Sequence, residues 1–107
     1  MSAARSCRLI GCWRLVEADI WDKKYLNLCG PAKLKIGGDG RGEIAFGALQ
    51  ATLRIDYAKQ SIWFDWEGFD EMDQVDGTGS AHLEHGSLEI EFAFSGGDEA
   101  VLKAVKA

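Results

Sequence analysis

The chain has a single proline among its 107 residues. That scarcity excludes a proline-rich linker or recognition segment, and the 13 glycines beside it suit tight turns between strands. Cysteine is also sparse. Cys7, Cys12 and Cys29 make an odd number with no C-x-x-C pair, which reads as reduced thiols and not as a disulfide framework. No stretch approaches the ~20 apolar residues that a membrane-spanning helix needs. Residues 1–8 lack an apolar core of signal-peptide length. Positive charge is in deficit: 12 Lys and Arg face 17 Asp and Glu, for a net charge of -5. Phosphate backbones and anionic membrane surfaces both require clustered cations, so neither nucleic acid nor a membrane is expected as a partner. The expected location is the cytoplasm.

Alternation of apolar and polar residues is what the chain has in abundance. Leu49, Ala51, Leu53, Ile55 and Tyr57 are separated by Gln50, Thr52, Arg54 and Asp56. Ile62, Phe64 and Trp66 alternate with Trp63, Asp65 and Glu67, and Leu88, Ile90, Phe92 and Phe94 with Glu89, Glu91 and Ala93. Successive side chains of a strand point to opposite faces, so each run has one buried and one wet side. Turn signals separate the runs, the strongest being Gly37-Gly38-Asp39-Gly40.

A chain of this length forms one domain. Residues 1–8 read as a flexible N-terminal arm and 9–107 as a single domain. A first strand is expected over 11–21, with Trp13, Leu15, Glu17, Asp19 and Trp21 on one face and Cys12, Arg14, Val16, Ala18 and Ile20 on the other. Neither face is clean, so the strand is expected to bend or to contact structure on both sides. Residues 22–30 are too apolar for a free loop, so they suggest a helical turn or a lid packed over one end of the fold. Five more strands follow the turns from Pro31 to Glu84, with an acidic connection over 70–74. Two others, over 88–94 and 100–105, complete eight. Sequential hairpins pair neighbours in order, and closing eight such strands removes both exposed edges. Gly77 and Gly79 would let the sixth strand coil as closure requires. The expected fold is therefore all-β: an eight-stranded antiparallel up-and-down (meander) barrel, preferred over a sandwich.

Gly11-Cys12-Trp13 has the G-x-W form found on the first strand of lipocalins, fatty-acid-binding proteins and avidins. The chain thus resembles these lipocalin-like (calycin) barrels, in which the tryptophan closes the bottom. It also resembles a family of small uncharacterised bacterial proteins. Residues Gly11 to Glu17, Trp21-Asp22, Gly30-Pro31-Ala32, Phe46-Gly47-Ala48 and Phe64 to Glu71 carry that likeness. Lipocalins are longer, and fatty-acid-binding proteins have two helices for which this chain has no room. Lipocalins also lay a late arginine across the first-strand tryptophan, where the last strand here offers Lys103 and Lys106.

Two function classes follow. One is a non-enzymatic barrel that binds an apolar or aromatic small molecule at its open end, beneath the 22–30 lid. The room would come from Gly77, Gly79 and Ala81. The candidate ligand-binding residues are Trp13, Glu17, Trp21, Tyr25, Trp66 and Phe69, with aromatic walls and a carboxylate contact. The other is an interaction or structural module with a solid core. Outward Trp63, Cys12, Val16, Ile20, Val101 and Val105 would form its apolar patch and make a homodimer. No catalytic constellation, metal site or cofactor motif stands out. The acidic run Glu67, Asp70, Glu71, Asp73 and Asp76 lacks EF-hand spacing. His82 and His85, three apart across a turn, would need a further ligand from elsewhere to hold zinc.

Overall fold

The computed structural model describes residues 7–107. Eight strands in chain order, each antiparallel to the next, close into one barrel. They are β1 (Gly11–Ala18), β2 (Lys33–Ile36), β3 (Arg41–Phe46), β4 (Leu49–Tyr57), β5 (Ser61–Asp70), β6 (Asp73–Glu84), β7 (Ser87–Phe94) and β8 (Glu99–Lys106). The meander closes where β8 pairs with β1. A four-residue helix, α1 (Lys23–Leu26), lies between β1 and β2. Among the described residues no helix is long and apolar enough to cross a membrane.

The alternating runs become the inner wall. Leu34, Ile36, Ile44, Leu53, Ile62, Leu88, Ile90 and Leu102 are all 0–1% exposed. Among the described residues no polar or charged side chain is buried. The interior is thus held by apolar burial and ring packing, with backbone polarity satisfied in the ladders.

We call the end bearing α1 and the β3–β4, β5–β6 and β7–β8 turns the upper end. The chain enters at the lower end. The arm expected over 1–8 falls mostly outside the described residues. Of the two that are described, Cys7 is buried and Arg8 donates its N–H to the Lys59 carbonyl at 2.9 Å. Leu9, fully buried, follows and plugs the lower end. There the Tyr57 hydroxyl donates to the Gly37 carbonyl and accepts from Gly40 N–H at 3.0 Å, which ties the β2–β3 turn to β4.

Two boundaries depart from expectation. β1 ends at Ala18 instead of running to residue 21, and it carries a bulge: Leu15 pairs with Ala104 and Glu17 with Lys103, leaving Val16 as the extra residue. One inserted residue flips the side-chain phase of everything beyond it. Glu17 therefore leaves the Trp13 face and is exposed beside Lys103, while Ala18 packs on the core. The acidic connection over 70–74 shrinks to a two-residue turn, Glu71 and Met72, because Asp70 and Asp73 pair as strand ends. Glu71 takes a left-handed φ of 60° to make that turn.

Candidate functional site

The glycines on β6 do leave room inside the barrel, and aromatic rings occupy it. Trp66 is the cross-strand partner of Gly77, and Phe64 of Gly79. A Cβ at Gly77 would strike the Ala93 carbonyl and come within 2.8 Å of the Trp66 ring. Trp66 stacks on Phe92 at 4.5 Å between centroids, and Phe92 meets Phe46 at 5.4 Å and Phe64 at 6.3 Å. Phe92 therefore sits where the side chains of β3, β5 and β7 converge. Each such pair adds ~0.5–1.5 kcal/mol beyond its area burial.

The upper end is closed by a second aromatic group. Trp21 lies 5.1 Å from Phe46, 5.5 Å from Tyr25 and 6.4 Å from Phe94. Local sequence sets this lid. The Asp22 carboxylate caps α1 by accepting the Tyr25 N–H at 2.9 Å. The Leu26 carbonyl accepts from Gly47 N–H at 2.9 Å, which pins α1 to the β3–β4 turn. The Asn27 side chain then joins the helix to β2, accepting the Ala32 N–H at 3.0 Å. Burial first, and then the charges of Asp70 and Glu71 and the nearby Cys29, hold the Tyr25 phenol above its usual range and keep it neutral.

The six candidate ligand residues thus separate. Trp21 and Tyr25 share the upper end, and Trp66 joins them through Phe94, 5.1 Å away. Trp13 lies near the lower end, paired with Leu34 and Lys106 and 3% exposed. Its indole N–H donates to the Leu9 carbonyl at 2.8 Å, and the Lys106 ammonium stands 4.8 Å from the ring centroid. Lys106 is thus the cation laid across the first-strand tryptophan. Glu17 faces outward, and Phe69 is 56% exposed on the outer wall.

Concavities lie on that outer wall. One, of about 700 Å³, spans β4–β8 around Trp63. Trp63, Ser80, Glu91 and Val101 are successive cross-strand partners and form its floor. Asp19 extends the row, because its carboxylate accepts the Val101 N–H at 2.9 Å. The lining carries Asp19, Asp56, Asp65, Glu91 and Glu99 and, among the described residues, no lysine or arginine. Arg54 reaches Asp65 from beside the rim at 3.7 Å. Trp63 itself is 53% exposed. A second concavity, of about 720 Å³ over β1–β6, contains Cys12, Phe69, Lys33 and Lys35. The apolar residues expected to form one outer patch are therefore divided, with Trp63 and Val101 in one groove and Cys12 in the other. Outward Trp63 was readable by counting alternate positions on β5. The groove was not, since it depends on which strands stand beside it.

Of the acids in the run from Glu67 to Asp76, Glu67 pairs with Asp76 and Asp70 with Asp73 across the β5–β6 ladder. Among the described residues three metal-ligating atoms come together only at His82, Glu84 and Glu89. The thiols of Cys7, Cys12 and Cys29 are free, the first buried and the others exposed. Comparison with protein-family models, with curated proteins and with solved structures found no match to this chain.

Proposed function

We propose that this barrel is a non-enzymatic binding module whose outer wall over β4–β8 docks a basic segment of another protein, with Trp63 as the anchor. The observation that carries this reading is the half-exposed Trp63 on the floor of a carboxylate-lined groove. A cationic side chain over the indole face gains cation–π attraction, and the surrounding carboxylates steer and hold its neighbours. Exposed tryptophans in concave sites are frequent anchors of binding energy. Among the described residues the buried side chains are all apolar, which supports an outer site, because small-molecule pockets rely on a few placed polar groups. The three free thiols support a reducing, cytoplasmic setting.

A second reading has support at the upper end. Trp21 is half-buried, lies outside any strand and is held by ring contacts, so a planar apolar ligand would take its place on Phe46 and Phe94. Trp21, Tyr25 and Trp66 would then contact it.

One titration separates these readings. Tryptophan indole N–H resonances are followed while a short Lys/Arg-rich peptide, an acidic peptide of equal length, and a panel of aromatic ligands are added. The basic peptide is expected to shift Trp63 alone, saturably, with affinity that falls as salt rises; read from the anisotropy of the same peptide carrying a fluorescent label, that affinity drops at least about tenfold in Trp63→Ala. A shift of Trp21 with aromatic ligands and none of Trp63 would replace this reading with the second. A sedimentation mass of two chains that reverts to one in Trp63→Ala would replace the basic segment with a second copy, the homodimer.

A further inference from the structure

His82 and Glu84 stand two residues apart on β6, so their side chains leave the same outer face. Glu89 on β7 is the cross-strand partner of His82. Two positions along one strand and one across to its neighbour make a triangle small enough for long side chains to meet over its centre. They do meet. His82 Nε2 lies 3.1 Å from Glu84 Oε2, and one ligand atom from each of the three residues lies within 4.8 Å of the others.

We propose that His82, Glu84 and Glu89 form an open site for a late first-row divalent cation such as zinc. The site shares no residue with the Trp63 groove, lies one row along the same outer face, and does not depend on a partner docking there. Zinc bonds of ~2.1 Å hold neighbouring tetrahedral ligand atoms roughly 3.4 Å apart. The His82–Glu84 separation already has that size, and Glu89 reaches it by a side-chain rotation. The donor set selects the ion class. An imidazole nitrogen with two carboxylates suits zinc and its neighbours, whereas calcium and magnesium prefer oxygen alone. Two carboxylates neutralise the charge of the ion, and the fourth position stays open to water.

The surroundings are compatible. Ser61 and Ser87 are the neutral cross-strand partners of His82 and Glu84. Lys103 is the one cation beside Glu89 in register, and it also pairs with Glu17 across the β8–β1 ladder. Among the described residues the ion pairs are Arg54–Asp65 and His82–Glu84, so the Lys103 ammonium does not occupy the Glu89 carboxylate. His85, the residue that the sequence pairs with His82, sits in the turn at a φ of 51° and supplies no ligand atom to the triangle. The ligands that complete the site come from the strands.

Zinc titrated into the full chain at neutral pH, with the His82 imidazole resonances followed by NMR, tests the proposal. Reading that residue separates the site from zinc held by the exposed thiols of Cys12 and Cys29. One equivalent is expected to shift His82 saturably. Glu89→Gln and Glu84→Gln should each weaken this at least about tenfold, as removal of one ligand does. His85→Ala should leave it unchanged, and magnesium should not reproduce it. His82 resonances that zinc leaves in place would overturn the proposal. So would equal affinity in Glu89→Gln, which keeps the shape of the side chain and leaves the folded core untouched.

Discussion

The two ends of the barrel are each closed by a tryptophan near one end of β1, and they differ in what holds it. Trp13 is part of a strand. It is paired on both sides, 3% exposed, hydrogen-bonded to the Leu9 carbonyl and covered by Lys106. Trp21 lies three residues past the end of that strand and rests on the rings of Tyr25, Phe46 and Phe94. Ladder pairing makes the lower plug open only when the barrel opens. Ring stacking under a four-residue helix lets the upper plug open by itself, with a smaller loss of buried area. On this contrast the lower end is expected to act as a structural closure and the upper end to have the lower local stability.

The largest effect that tests this contrast is the loss of Trp13. Trp13→Ala removes a fully buried ring and leaves a void between β1, β2 and β8, at a cost of ~3–5 kcal/mol in chemical denaturation. Trp21→Ala should cost about 2 kcal/mol, since its ring is half-buried and water can fill the space. Equal losses for the two variants would break the contrast and make both ends parts of one cooperative core.

The lower end was the less legible of the two in the sequence. The G-x-W motif marked Trp13, but buried Cys7 falls where small and polar residues suggested an arm, Leu9 follows just beyond it, and the Lys106 cation of the last strand completes the closure. Strands β4, β5 and β7 read almost letter for letter, because alternation is a local property that burial on one face enforces. The bulge at Val16 left a weaker trace: neither face of the first strand alternates cleanly, which suggested a bend without locating it. An inserted residue obeys alternation on both sides of itself, so the flip of Glu17 is visible only in the pairing with β8. The acids Asp70 and Asp73 read as part of an acidic connection, yet they pair with each other as the strand ends of the β5–β6 ladder. Within the barrel, Gly77 and Gly79 read as room for a ligand. That the space would be taken by Trp66 and Phe64 follows from a register between β5 and β6 that local pattern does not carry.

A smaller perturbation acts on the upper plug alone. Gly47 has a φ of 58°, and a Cβ there would lie 2.5 Å from the Tyr25 ring. Gly47→Ala therefore combines left-handed strain with a push on Tyr25, for a loss of about 1.5 kcal/mol. Hydrogen exchange should speed up in α1 and at the Gly47 amide, with the β5–β6 amides unchanged. If exchange quickens across the whole barrel, the upper plug is not an independent unit.

The smallest expected effect comes from proton release at Tyr25. Its phenol titrates above the ordinary value of 10.0 because burial disfavours the phenolate and Asp70 and Glu71 repel it. The folded chain then holds this proton more tightly than the unfolded chain does. The stabilisation is fully present below the unfolded pKa and is lost as pH rises from there through the higher folded value. Alkali should thus loosen α1 before it unfolds the barrel, seen as a change in Trp21 emission that precedes loss of strand circular dichroism. Tyr25→Phe keeps the ring on Trp21 and removes the proton. Its upper end should stay closed over the same range, leaving only the alkaline response of the rest of the chain. A Tyr25→Phe variant with an unchanged early transition would assign that transition to another group and remove Tyr25 from the account of how the upper end opens.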